Sequence, residues 1–148
     1  MDLRDLYQEI IVDHNRSPRN FRKIDDYTHS AQGFNPLCGD KLTLYITLDG
    51  DTIKDISFEG SGCAISVASA SLLTERVIGH TVEDARNIFS QLHVVFTSDE
   101  EPENLEALGK LGALAGVRAY PSRIKCASLS WHALNNALNS GGDTASTE

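Results

Sequence analysis

The stretch 41-KLTLYITLDGDTIKDISF-58 decides the fold. Its first half alternates Leu42, Leu44, Ile46 and Leu48 with Thr43, Tyr45 and Thr47. A period of two puts every apolar side chain on one face, the mark of a half-buried strand. Asp49-Gly50-Asp51 is a hairpin turn signal. Ile53 to Phe58 then forms a second strand, with Ile56 and Phe58 on one face. A third strand is expected near Gly33 to Pro36.

Upstream, Leu3, Leu6, Tyr7, Ile10, Ile11 and His14 recur at helical spacing, and Asn15, Ser17 and Pro18 end that helix. The stretch from Arg19 to Gly33 is polar and without period, so a linker is expected there. Downstream, Gly60-Ser61-Gly62 closes the strand region, and Ala64 to Ile78, rich in Ala and Ser, reads as a buried helix. Thr81 is the expected N-cap of the next helix, with Glu83 and Asp84 in its first turn and an apolar face of Val82, Ala85, Ile88, Phe89, Leu92 and Phe96. Thr97 to Glu103 reads as an acidic loop and Leu105 to Val117 as a short helix. A last helix is expected over Arg123 to Asn139, capped by Ser122, with Ile124, Leu129 and Leu138 in the core. Strands first and helices afterwards predict an α+β fold, a small antiparallel sheet of about three strands with helices packed on one face. One domain is expected over residues 1–140, and a disordered tail over 141–148.

The 148 residues suit one ordinary domain, and 41% hydrophobic with 23% charged residues suit a globular one. A formal charge of -8 repels phosphate backbones and acidic membrane surfaces, so neither nucleic acid nor membrane is expected as a partner. No apolar run approaches the ~20 residues that span a bilayer. The N-terminus has charges on both sides of its apolar positions, unlike a signal peptide. The cytoplasm is the expected location.

There are three cysteines, an odd number that argues against a disulfide framework. Each lies beside a bending or helix-starting element: Cys38 before the first strand, Cys63 between hairpin and helix, Cys126 at the start of the last helix. Glycines beside a thiol allow the backbone close to a bound atom, and the thiolate, favoured at helix starts, is the form that binds metal or attacks sulfur. Cys38, Cys63 and Cys126 with Asp40 make four ligands of the kind zinc takes in tetrahedral geometry. The tandem CxxC spacing of zinc ribbons is missing. From the residues alone, a metal or cluster site and three packed thiols stand level.

The chain resembles the SufU/IscU family of iron–sulfur cluster assembly proteins, related to the N-terminal domain of NifU. The likeness runs through Leu6-Tyr7, Ile10 and Asp13-His14, then Pro18-Arg19-Asn20 and Asn35-Pro36-Leu37-Cys38-Gly39-Asp40. It continues in Gly60-Ser61-Gly62-Cys63-Ala64-Ile65-Ser66 and in Lys125-Cys126-Ala127 up to Trp131-His132-Ala133-Leu134. The resemblance implies a SufE/NifU-like fold and makes Cys38, Asp40, Cys63 and Cys126 metal ligands. IscU-type scaffolds have a histidine directly before the third cysteine, where Lys125 stands here. They also lack an extra segment that this chain carries between Cys63 and Cys126, and their Leu-Pro-Pro-Val-Lys segment is replaced by Tyr120-Pro121-Ser122-Arg123-Ile124. These features are similar to the zinc-dependent SufU branch.

That resemblance implies a zinc ion, and a sulfurtransferase-type adaptor rather than a stand-alone enzyme. It would accept persulfide sulfur from a SufS-type cysteine desulfurase, a PLP enzyme, and hand it to a downstream Suf-type cluster scaffold. Cys38, on its Gly/Pro loop, is the implied sulfur acceptor. It would leave the metal as a histidine of the desulfurase takes its place, while Asp40, Cys63 and Cys126 hold on. Lys125 and Arg123 could offset the negative charge of such a site. Two other functions use the same residues: a scaffold assembling a transient [2Fe–2S] cluster, and a structural zinc domain acting as an interaction module.

Plainer roles compete for several residues. Asp40 alone would be a turn residue, and Lys125 and Arg123 solvated charges at a helix start. His14, His29, His80, His93 and His132 read as surface or core, and Asp99, Glu100, Glu101 and Glu103 as a solvated loop. The stripe of Leu3, Leu6, Tyr7 and Ile10 is a core face that family resemblance allows to dock on the desulfurase.

Overall fold

The computed structural model of the chain describes residues 3–36, 39–97, 110–112, 114, 117, 120–140 and 145–146. Its elements are α1 (Leu3–Arg16), β1 (His29–Asn35), β2 (Asp40–Asp49), β3 (Thr52–Ser61), α2 (Ala64–Val77), α3 (Val82–Thr97), α4 (Pro121–Ser140) and β4 (Ala145–Ser146). The β2–β3 hairpin forms where the alternating pattern places it. Leu44 faces Phe58, Ile46 faces Ile56, and Gly50 takes φ 62° in the turn. Leu48 pairs with Ile53 but Thr47 pairs with Asp55, so Lys54 is an extra residue in β3. That bulge turns Ile53 and Ile56, three apart in sequence, to the same buried face.

β1 pairs antiparallel with β2 from His29↔Ile46 to Asn35↔Asp40. It starts earlier than expected. Its inward positions are Ala31, Gly33 and Asn35, too small or too polar to show a hydrophobic alternation. The polar segment before it is tied down by backbone bonds together with two apolar side chains. The Phe58 N–H donates to the Asn20 carbonyl, and the Arg22 N–H donates to the Phe58 carbonyl, both at 3.0 Å. Phe21 meets Phe58 edge-on at 5.2 Å, and Ile24 is buried. The tail also differs from expectation: Ala145 and Ser146 pair in parallel with Gly33 and Phe34, which adds β4 beside β1.

The inward side of the sheet, with Leu42, Leu44, Ile46, Ile56 and Phe58 all buried, is covered by α2 and α4. α1 lies on α2, and α3 packs on α4. Two central helices must bury more than one face, and both do: Ser66, Ala68 to Thr74 and Val77 are buried in α2, and Cys126 to Trp131 in α4. Small residues let them approach closely, and Ser69 Oγ donates to the Ala127 carbonyl across the contact. Gly33 does the same for α4 and the sheet, since a Cβ there would sit 3.1 Å from Leu129 Cγ.

Thr81 caps α3 as expected, its Oγ1 accepting from the Asp84 N–H at 3.1 Å. α4 begins at Pro121, so Ser122 lies inside the helix rather than at its cap. Proline is well suited to a first helical position because it has no N–H to leave unpaired and its φ is preset. The expected short helix over 105–117 falls mostly outside the described residues; within it Leu111, Leu114 and Val117 are buried. The acidic residues Asp99, Glu100, Glu101 and Glu103 lie outside the description.

Candidate metal centre

The antiparallel order brings the end of β1, the start of β2 and the end of β3 to one end of the sheet, where α2 starts directly after β3. Asp40 is the first residue of β2, inward-facing and fully buried. Cys63 is the N-cap residue of α2, half-buried, and its Sγ accepts the Ser66 N–H at 3.4 Å. That donor is one of the backbone groups a helix start leaves without an internal partner. Cys126 sits in the second turn of α4, which begins at Pro121, and is fully buried.

The Asp40 carboxylate is split between two tasks. Oδ1 accepts the Cys63 backbone N–H at 2.7 Å, which fixes the group. Oδ2 faces the Cys63 sulfur at 3.8 Å and accepts from Asn35 Nδ2 at 3.3 Å. The same Asn35 nitrogen lies 3.5 Å from Cys126 Sγ. Gly62 makes this approach possible, because a Cβ there would come within 2.5 Å of Asp40 Oδ1. Gly60 is equally constrained: its φ is 151°, and a Cβ would meet the Lys41 carbonyl oxygen at 2.2 Å.

One donor atom each from Asp40, Cys63 and Cys126 lies within 4.8 Å of the others. Ligand atoms around a tetrahedral zinc, with bonds of about 2.0–2.3 Å, stand roughly 3.3–3.8 Å apart. The Asp40–Cys63 separation is already in that range. A contraction of about 1 Å at the widest pair would close the set around an ion. The donor chemistry, two soft sulfurs and a carboxylate, fits zinc. Among the described residues this is the one group of His, Cys, Asp or Glu that converges in this way.

Of the four ligands named from sequence, three therefore meet. Cys38 lies outside the described residues; in the sequence it falls between Asn35 and Asp40, the pair that closes the β1–β2 hairpin. Lys125 is half-buried and Arg123 exposed. Arg123, three residues before Cys126, shares its side of the helix more closely than Lys125, which is turned about 100° away. None of the five histidines joins the cluster. His14 is buried on Ser71, His29 bonds Thr28, His80 faces Asp84, and His132 and His93 flank Phe89. One site residue, Asn35, had no role in the sequence reading, and Gly62 entered it only as a glycine beside a thiol. Asn35 stands in the quoted Asn35-Pro36-Leu37-Cys38 motif, and Gly62 precedes Cys63. A polar residue at the inward end of a strand, and a glycine next to a cysteine, were the available signals.

Residues 6–127 match the family described as NifU-like N terminal domain. The chain is 40% identical over 133 residues to the zinc-dependent sulfurtransferase SufU of Bacillus subtilis, covering 90% of this chain and 89% of that protein. It is 39% identical over 136 residues to the iron–sulfur cluster assembly scaffold protein IscU of Streptococcus pyogenes, covering 92% and 84%. The crystal structure of the SUF-system protein FiSufU from Fervidobacterium islandicum superimposes with a TM-score of 0.84 at 36% identity, over 91% of this chain and 98% of that one. Sheet and helices are thus those of a shared domain, and the chain belongs to the SufU/IscU family of iron–sulfur cluster assembly proteins, built on the NifU-like N-terminal domain.

Proposed function

We propose that this protein is a zinc-dependent sulfur acceptor in iron–sulfur cluster assembly, working in the cytoplasm. It takes persulfide sulfur from a SufS-type cysteine desulfurase and passes it to a downstream cluster scaffold. The convergence of Asp40, Cys63 and Cys126 is the observation behind this reading, and Cys38 stands two residues before Asp40 in the sequence. The likeness to a zinc-dependent sulfurtransferase and the presence of Lys125 where IscU-type scaffolds have histidine support it.

Asp40, Cys63 and Cys126 would hold the ion, with Cys38 as fourth ligand. Bound zinc keeps thiols deprotonated at neutral pH and ties their segments together. The chain's residues do the rest. Asp40 keeps its orientation through the Cys63 N–H. Cys126 is fixed on α4, whereas Cys38 stands in the sequence between Pro36 and Gly39. The Cys38 sulfur attacks the outer sulfur of the desulfurase persulfide. A new S–S bond forms on Cys38, the S–S bond on the partner cysteine breaks, and that cysteine leaves as a thiolate with the electron pair. No external oxidant is needed, because the persulfide already carries the oxidised sulfur. Arg123 and Lys125 would offset the negative charge of three thiolates and a carboxylate around a divalent ion.

A second reading, a scaffold for a transient [2Fe–2S] cluster on the same ligands, is favoured by the IscU relatives. One set of measurements separates the two: metal content, stimulation of a cysteine desulfurase, and persulfidation read by mass spectrometry. Stoichiometric zinc with stimulation is expected. Cys38→Ala should abolish persulfidation with the zinc-binding fold kept, and Cys126→Ala should chiefly lose zinc. Persulfidation that persists in Cys38→Ala would overturn the acceptor assignment. Ready cluster formation without stimulation would favour the scaffold, and zinc with neither activity a structural interaction module.

A further inference from the structure

Asn35 is fully buried at the last inward position of β1, directly opposite Asp40 in the hairpin register. Its Nδ2 carries two hydrogens, and two acceptors lie at hydrogen-bond distance: Asp40 Oδ2 at 3.3 Å and Cys126 Sγ at 3.5 Å. The orientation of the amide is not arbitrary. An ionised carboxylate only accepts, so the side facing Asp40 must be the NH₂ group. Its Oδ1 has no partner among the described residues, although it is buried. An asparagine placed here only to close a hairpin would be expected to satisfy its carbonyl oxygen, since buried polar atoms without partners are costly. Among the described residues this one leaves its carbonyl oxygen without that bond and directs both donors at two converging side chains from different elements.

We propose that Asn35 is a positioning residue of the metal centre. It bridges Asp40 on β2 and Cys126 on α4, holds the two anionic donors side by side against their repulsion, and tempers the donor strength of the Cys126 sulfur. The inference rests on the metal-centre reading above. Partners that orient metal ligands in this way matter to affinity, and removing one commonly costs 10–100-fold. N–H donation to a thiolate also stabilises its lone pairs, which leaves a mark on sulfur-to-metal charge transfer.

The test uses the full chain with Asn35→Ala, which deletes the amide, and Asn35→Leu, which keeps its volume without donors. Zinc affinity is measured by competition with a chromophoric chelator, the cobalt(II)-loaded protein by its charge-transfer absorption, and the metal-free fold by circular dichroism. In both variants zinc affinity should fall by roughly 10–100-fold, and the cobalt charge-transfer band should move to longer wavelength, with the metal-free fold retained. Affinity within about twofold of the native chain and an unmoved band would overturn the proposal. Loss of the metal-free fold in both variants would also overturn it, by making Asn35 a structural residue alone. If the native chain itself takes up neither zinc nor cobalt, the metal-centre reading falls first and this inference with it.

Discussion

His14 lies under α2 with its Nδ1 2.7 Å from Ser71 Oγ, and only 1% of the residue is exposed. Burial holds the imidazole below its ordinary value of 6.5; the Arg19 charge adds to this, and Glu75 and Asp13 oppose it. The folded chain therefore keeps His14 neutral where the unfolded chain would protonate it. Its contribution to stability is complete above the ordinary value and is lost as pH falls below it towards the folded one. His132, lowered by burial and by His93, acts in the same direction. The melting temperature of metal-free protein should drop between about pH 7 and about pH 5, and His14→Gln should flatten part of that slope. An unchanged slope would show that His14 does not set it. At this scale the cysteines were legible in the sequence by their chemistry, and Asp40 by its place two residues after Cys38 in the family motif. The roles of Asn35 and Gly62 were not, because they depend on what stands opposite each residue.

α3 illustrates what can be read from a single element. Its apolar period buries Ala85, Ile88, Leu92 and Phe96 as expected, and its cap is visible in the sequence as Thr81 followed by two acids. The Thr81 side chain bonds the Asp84 N–H, and its carbonyl accepts the Ala85 N–H. Thr81→Ala should cost about 1 kcal/mol, or about 3 °C in melting temperature for a chain of this size. Thermal unfolding checks this, and an unchanged melting temperature would mean that the hydroxyl does not cap the helix. β2 and β3 were equally legible, since repeated apolar positions report their own period, and α2 was legible from its small residues. β1 and the segment before it were not. Ala31, Gly33 and Asn35 carry no apolar signal, and backbone bonds to Phe58 hold the polar stretch from Asn20 to Arg22. The start of α4 was misplaced by a similar ambiguity. Pro121-Ser122 reads equally well as a cap followed by a helix or as the helix itself, and the helix starts at Pro121.

The whole molecule enters through the candidate ligands, which come from β2, the cap of α2 and α4 and span residues 40 to 126. An ion bound by all three would bind the folded chain far better than the unfolded one and would stabilise it by mass action, about 2.7 kcal/mol at a hundredfold excess over the dissociation constant. Zinc should raise the melting temperature of the native chain, a chelator should reverse that, and Cys126→Ala should lose the increment. Equal melting temperatures with and without zinc would contradict a site that ties these elements together. The sequence by itself determined the α+β class, the hairpin at its centre, the helical faces and the identity of the reactive side chains, because each is a local property of period or residue chemistry. The tertiary structure alone decided that Asp40, Cys63 and Cys126 meet, that Asp40 is split between the Cys63 amide and the cluster, and that Asn35 lies within hydrogen-bond distance of Asp40 and Cys126. Those facts depend on the register of β1 on β2 and on the close crossing of α2 and α4, which join residues far apart in the chain through backbone bonds and small side chains that leave no periodic trace.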